Sequence, residues 1–258
     1  MSMIRTAFKL PFRALHPTTK FFASGGDVQL ALEFATEPTL AQVKQADYLM
    51  QLFTDYAGTG ALSGRRFEPH QSGVDRGPIA FRSPKVRVLS LSHCRVDDTA
   101  IVLLCDMLMR LHLSVPLHSF IVSNGGEVVE LLQDPHTWST YPERYIPLPF
   151  EINDQQPESG AYTFVLDLVE PLQAPARDSL NAWLSLWTRC VLAGCYALAP
   201  IEPKVNYVEP DGEVVDFATT VEWSVFKLRA DPVAIDALIN LLCCFSERLQ
   251  RVVRVTIQ

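Results

Sequence analysis

Six carboxylates crowd the stretch from Glu202 to Glu222: Glu202, Glu209, Asp211, Glu213, Asp216 and Glu222, against Lys204 alone. Acids at this density can hold a cation or present a negative face to a basic partner. The spacing of Asp211, Glu213 and Asp216 lacks the rest of a calcium loop, so no metal is assigned to it. The stretch reads as a charged hairpin, and partner recognition is its functional form.

Other groups fall short of a reactive constellation. His93 and Cys94 sit near Asp97 and Asp98, but a nucleophile or metal site needs a third partner, from His112 or His118. A helix cap explains Asp97 without one. Arg65, Arg66, His70, Arg76 and Arg82 form a basic loop that could meet phosphate. Glu68 and Asp75 interrupt it, and a solvated loop is the simpler reading. Trp183 and Trp187, with Leu180 and Leu184, follow helical spacing and read as core. Trp138, Tyr141 and Tyr145 lie among prolines and read either as interface anchors or as side chains tacking a linker onto the domains. No phosphate loop, dinucleotide fingerprint, zinc pair or nucleophile elbow is present. No catalytic residue, metal ligand or cofactor is therefore assigned.

The elements that must position these residues repeat. Arg95-Val96-Asp97 to Leu108 aligns without gaps on Arg229-Ala230-Asp231 to Leu242, an offset of 134 residues. Asp97 and Asp231 are N-cap candidates. Ala100, Ile101, Leu104 and Leu108, like Ala234, Ile235, Leu238 and Leu242, keep helical spacing. Strand patterns precede them, Val86 to His93 and Thr220 to Leu228. Further strands are expected at Asp27–Phe34, Ser119–Ser123, Glu127–Leu132, Tyr162–Val169 and Val252–Ile257, and helices at Thr39–Tyr56 and Ala176–Tyr196. Lys204–Val208 supplies another strand, with Asp211-Gly212 as a hairpin turn. The fold class is α+β: two tandem ferredoxin-like units, β-α-β-β-α-β, related by internal duplication. The expected boundaries are an N-terminal extension over 1–26, a first unit over 27–132, a Pro-rich linker over 133–160 and a second unit over 161–258. The wide apolar runs in the helices Asp98–Leu113 and Val233–Leu249 imply burial on more than one side, between the units or in a homodimer.

A chain of 258 residues, 48% hydrophobic and 20% charged, has material for two full cores. The net charge of −7 lies wholly in the second part: residues 1–150 hold 14 basic and 14 acidic groups, and residues 151–258 hold 8 and 15. This balance repels nucleic acid and anionic membrane and attracts a basic protein. The six cysteines sit in apolar stretches with no CxxC pair, which reads as reduced thiols in a cytoplasmic protein. Lys9 and Pro11 interrupt any signal-peptide core, and Arg189 and Gly194 interrupt the longest apolar stretch, Trp183–Ile201.

In size, acidity, α+β architecture and lack of catalytic motifs, the chain resembles bacterial immunity proteins that neutralise secreted toxins, including those of type VI secretion. The resemblance implies an antitoxin that binds a cognate effector, a basic nuclease-like toxin, through Glu202–Glu222. Two other functions stand beside it. One is an enzyme or small-molecule binder with a pocket between the units, lined by His93, Arg87 or Arg229. The other is a structural component docking its apolar helices into a larger assembly.

Overall fold

Thr39 opens the first helix. Its hydroxyl accepts the Gln42 N–H at 3.3 Å while the Gln42 carboxamide accepts the Thr39 N–H at 2.9 Å, a reciprocal capping box. In the computed structural model this helix, α1, spans Leu40–Thr59. The structure describes residues 3–9, 26–59, 61, 75–76, 80–94, 115–124, 127–130, 145–155, 160–193, 195, 209–210, 212–228 and 232–258. The helix expected at Asp98–Leu113, both aspartate caps and the strand expected at Lys204–Val208 lie outside them.

The chain forms two compact units. One is Phe12–Pro142 with Leu198–Pro200, and the other is Met1–Pro11, Glu143–Ala197 and Ile201–Gln258. We call them the N-terminal and C-terminal units. The strands run β1 (Met3–Lys9), β2 (Gly26–Phe34), β3 (Asp75–Arg76), β4 (Ala80–Ser83), β5 (Val86–Cys94), β6 (Leu117–Asn124), β7 (Glu127–Glu130), β8 (Tyr145–Asp154), β9 (Tyr162–Leu168), β10 (Glu209–Pro210), β11 (Val215–Phe217), β12 (Thr220–Phe226) and β13 (Val252–Ile257). The later helices are α2 (Ala174–Leu192) and α3 (Pro232–Arg248).

In the N-terminal sheet the order is β3-β5-β2-β6-β7, with β4 also on β5. The C-terminal sheet runs β1-β8-β13-β9-β12-β10, with β11 also on β12. Stripped of the added strands, both cores place the last strand beside the first and the third beside the first. All these core neighbours are antiparallel. That is the ferredoxin-like order.

The repeat extends to single residues. Leu40 and Ala174 begin α1 and α2, and Val86 and Thr220 begin β5 and β12, each pair 134 residues apart. Leu30, Leu32 and Phe34 are buried in β2, as are Phe164, Leu166 and Leu168 in β9. Thr54 and Thr188 are buried and each donates its hydroxyl to the carbonyl four residues earlier, at 2.9 Å in both. In the last core strand the register is one residue longer: Phe34 pairs with Leu117 and Leu168 with Val252, and both ladders shift register next to that pair.

Two expected boundaries and one expected turn change. Residues 1–26 are not simply an extension, because β1 pairs antiparallel with β8 and belongs to the C-terminal unit. Nor is 133–160 only a linker: β8 continues the sheet, parallel to β13. Prolines obscured it, since Pro147 and Pro149 cannot donate to a ladder. They fit because β13 pairs only with Glu151–Asp154, and the β1 ladder is irregular between Arg5 and Ala7. The hairpin turn is also displaced, from Asp211-Gly212 to Ala218-Thr219, between the paired Phe217 and Thr220. Gly212 instead lies in a bulge. Pro210 pairs with Val225 and Val215 with Glu222, so four residues face two. Within it Val214 is buried, and its N–H donates to the Asn181 carboxamide oxygen at 3.1 Å.

Residues 237–246 of α3 are all buried, more than one stripe. α3 contacts α2, β8 and β1, so the two added strands widen the sheet beneath it. Among the described residues, no helix is long and apolar enough to cross a membrane.

Candidate partner-binding face

Strand alternation gives the sheet of the C-terminal unit two unlike faces. Val221, Trp223 and Val225 point to the helices and are buried, with Phe164, Leu166, Val255 and Ile257. Trp187 is fully buried among them, edge-on to Trp223, with ring centroids 5.7 Å apart. Trp183 is half-buried and edge-on to Phe245. Trp187 is core, as its spacing predicts, while Trp183 sits at the core's margin. The interior seam around Leu180, Val214, Trp223 and Leu238 is apolar and too tight for a water molecule.

The opposite, open face is polar. Arg254 Nε donates to Asp167 Oδ2 at 2.9 Å, and Nη2 lies 2.7 Å from the same oxygen. Thr220 donates to Asp167 Oδ1 at 3.4 Å, and the hydroxyls of Thr163 and Ser224 share a hydrogen bond at 2.9 Å. Toward the sheet edge the character changes. Val215 lies opposite Glu222 and Phe217 opposite Thr220, so all four share the open face. Phe226 closes the row at the far end of β12. Val215, Phe217 and Phe226 are 52%, 58% and 42% exposed. Single exposed apolar side chains are ordinary. Three bordering one edge, with carboxylates between them, form the mixed apolar and polar surface of a protein interface.

The acids of the sequence reading separate on this frame. Glu213 is exposed and Glu222 half-buried on the open face. Asp216 pairs opposite Val221, on the helix side, and is ion-paired with Arg177 of α2. Glu209 lies in β10 opposite Phe226. Glu202 and Asp211 fall outside the described residues, as do Trp138 and Tyr141. Tyr145 is placed in β8, paired with Lys9, rather than in a linker. The apolar half of the face, Val215, Phe217 and Phe226, escaped the sequence reading. Its signal was the alternation Val215-Asp216-Phe217 beside the acids.

Other candidates resolve as scaffold or fall outside. His93 and Cys94 end β5. Arg76 lies in β3 and Arg82, exposed, in β4, while Arg65, Arg66 and His70 are not described. Arg87 is 7% exposed and ion-paired with Asp47 of α1, its Nε donating to Oδ1 at 3.2 Å. Cys190, Cys195, Cys243 and Cys244 are buried thiols outside any disulfide. Burial pushes the Cys243 thiol well up, and raises Cys244 from its ordinary 9.0 to about 11 against the lowering effect of Arg248. Protonated, buried thiols are poor nucleophiles. No group of His, Cys, Asp and Glu able to hold a metal occurs among the described residues.

No family model matches the chain, and no curated protein does. Among solved structures it is similar to a Cas6 product complex, with 16% identity over 86% of this chain and 94% of that one, at a TM-score of 0.22. It is also similar to Cas6 of Thermus thermophilus, with 15% identity over 90% and 98% of the two chains and a TM-score of 0.17. Scores of this size carry no argument about function. The fold assignment rests on strand order and register.

Proposed function

We propose that this protein is a non-enzymatic binding protein of the immunity type, which neutralises a cognate bacterial effector by direct contact through the open face of its C-terminal unit. The observation that carries this reading is the row of exposed Val215, Phe217 and Phe226 interleaved with Glu213 and Glu222. Apolar anchors supply affinity at an interface. Surrounding carboxylates speed encounter with a basic partner and fix its orientation. The excess of acids over residues 151–258 acts in the same direction.

The test is co-expression with the product of the adjacent gene. A stable complex, together with survival of cells that the product alone kills, is the expected result. Absence of both complex and protection would sink the reading.

A further inference from the structure

The two units repeat each other, and one break in the repeat lies on the open face. Val88 pairs with Ala31 in the N-terminal sheet, and 134 residues on, Glu222 pairs with Val165. A carboxylate thus stands where the sister unit carries valine. The neighbouring acids are neutralised, Asp167 by Arg254 and Asp216 by Arg177. Glu222, half-buried beside Val215, has no ion-pair partner among the described residues. A half-buried carboxylate without a counter-ion, flanked by apolar side chains, is complementary to a cation brought by a partner.

We propose that this face binds an extended basic segment of a protein partner, with a lysine or arginine over Glu222 and apolar side chains over Phe217 and Phe226. The proposal rests on the protein-binding reading above and specifies its ligand. Strand addition at the sheet edge is the competing mode, and the edge is built against it. β10 and β11 hold two and three residues, are separated by the bulge, and include Pro210. Recognition therefore falls to side chains on the face. Phe217 lies level with Thr220, so the row from Phe217 to Phe226 spans six strand steps, about 20 Å at roughly 3.3 Å per residue. Glu222 stands two steps from the Phe217 end. The matching ligand is apolar at its first and seventh positions and basic at its third.

The full-length chain, titrated by NMR, tests this with a seven-residue threonine peptide carrying leucine at both ends and lysine third. The peptide of reversed order covers the opposite strand direction. One of the two is expected to shift the resonances of Phe217, Glu222 and Phe226, and to bind more weakly as salt rises. Affinity should fall about fivefold or more in Glu222→Gln, in Phe217→Ser, and when the lysine becomes glutamate. Glu222→Gln is nearly isosteric, and near-ultraviolet circular dichroism checks that its fold is kept. Binding of neither peptide, shifts confined elsewhere, or equal affinity for Glu222→Gln overturns the proposal. A concentration-dependent dimer in sedimentation velocity that Phe217→Ser abolishes also overturns it, because the occupant is then a second copy. The two readings separate cleanly. Effector protection that survives Glu222→Gln and Phe217→Ser removes this inference alone, and peptide binding without any effector complex removes the immunity reading alone.

Discussion

Trp187 donates its indole N–H to the Ala234 carbonyl at 2.7 Å, joining α2 to the first turn of α3. The same ring packs edge-on against Trp223 of β12 and has no exposed surface. One side chain thus ties both helices to the sheet. Replacing it removes a large buried aromatic and leaves a cavity. Trp187→Ala is expected to lower unfolding stability by about 3–5 kcal/mol, and Trp187→Phe by roughly 2 kcal/mol. Urea denaturation followed by circular dichroism checks both values, with Trp183→Phe as the milder, half-buried comparison.

Among the described residues, two ion pairs join helix to sheet, one in each unit, and their burial differs. The Arg87 side chain is 9% exposed and Asp47 30%, whereas Arg177 and Asp216 are 41% and 30% exposed. Removing a partner strands a charge only where that charge is buried. Asp47→Ala is therefore expected to cost about 2–4 kcal/mol, and Asp216→Ala no more than about 1 kcal/mol. Equal losses in denaturant titrations would show that burial does not govern these pairs.

Among the described residues, φ is positive at four positions, Gly160, Gly212, Ala218 and Lys227. Ala218, in the turn before β12, has φ of 54°, a region that a Cβ makes costly. Ala218→Gly is expected to stabilise the unit by up to about 1 kcal/mol. Gly160 and Gly212 have φ of 70° and 74°. A Cβ on Gly160 would lie 3.3 Å from the Leu228 carbonyl oxygen, while one on Gly212 meets nothing within 4 Å. Gly160→Ala should thus cost more than Gly212→Ala, and thermal melts of the three variants rank them.

The adjacent thiols of Cys243 and Cys244 set an alkaline limit. Burial raises both, Cys244 from 9.0 to about 11. The folded state therefore holds these protons more tightly than the unfolded chain. Their contribution is fully present below pH 9 and is lost as pH climbs from the unfolded value through the folded one, by roughly 3 kcal/mol for Cys244. Stability measured between pH 8 and 11 should fall, and Cys244→Ala should flatten the decline. A thiol reagent at pH 8 should label these cysteines only after denaturant is added.

The sequence by itself determined the repeat and most of its elements. Alternation of period two and helical spacing are local properties, so β2, β9, β12 and β13 and all three described helices fall near their expected bounds. Core and surface assignments followed from the same periodicity, including the burial of Trp187. Only tertiary structure decided the rest, because strand pairing joins residues far apart in the chain. β1 finds its partner in β8, more than a hundred residues away, and no local pattern marks Met3–Lys9 as an edge of the C-terminal sheet. Prolines hid β8 until its neighbours showed which N–H groups the ladder uses. The acidic stretch was plain as composition. Whether each carboxylate faces a helix, an arginine or the open sheet depends on strand pairing and on the helix packed above it. Pairing opposite Val221 places Asp216 against Arg177, and pairing opposite Val215 leaves Glu222 beside exposed apolar side chains.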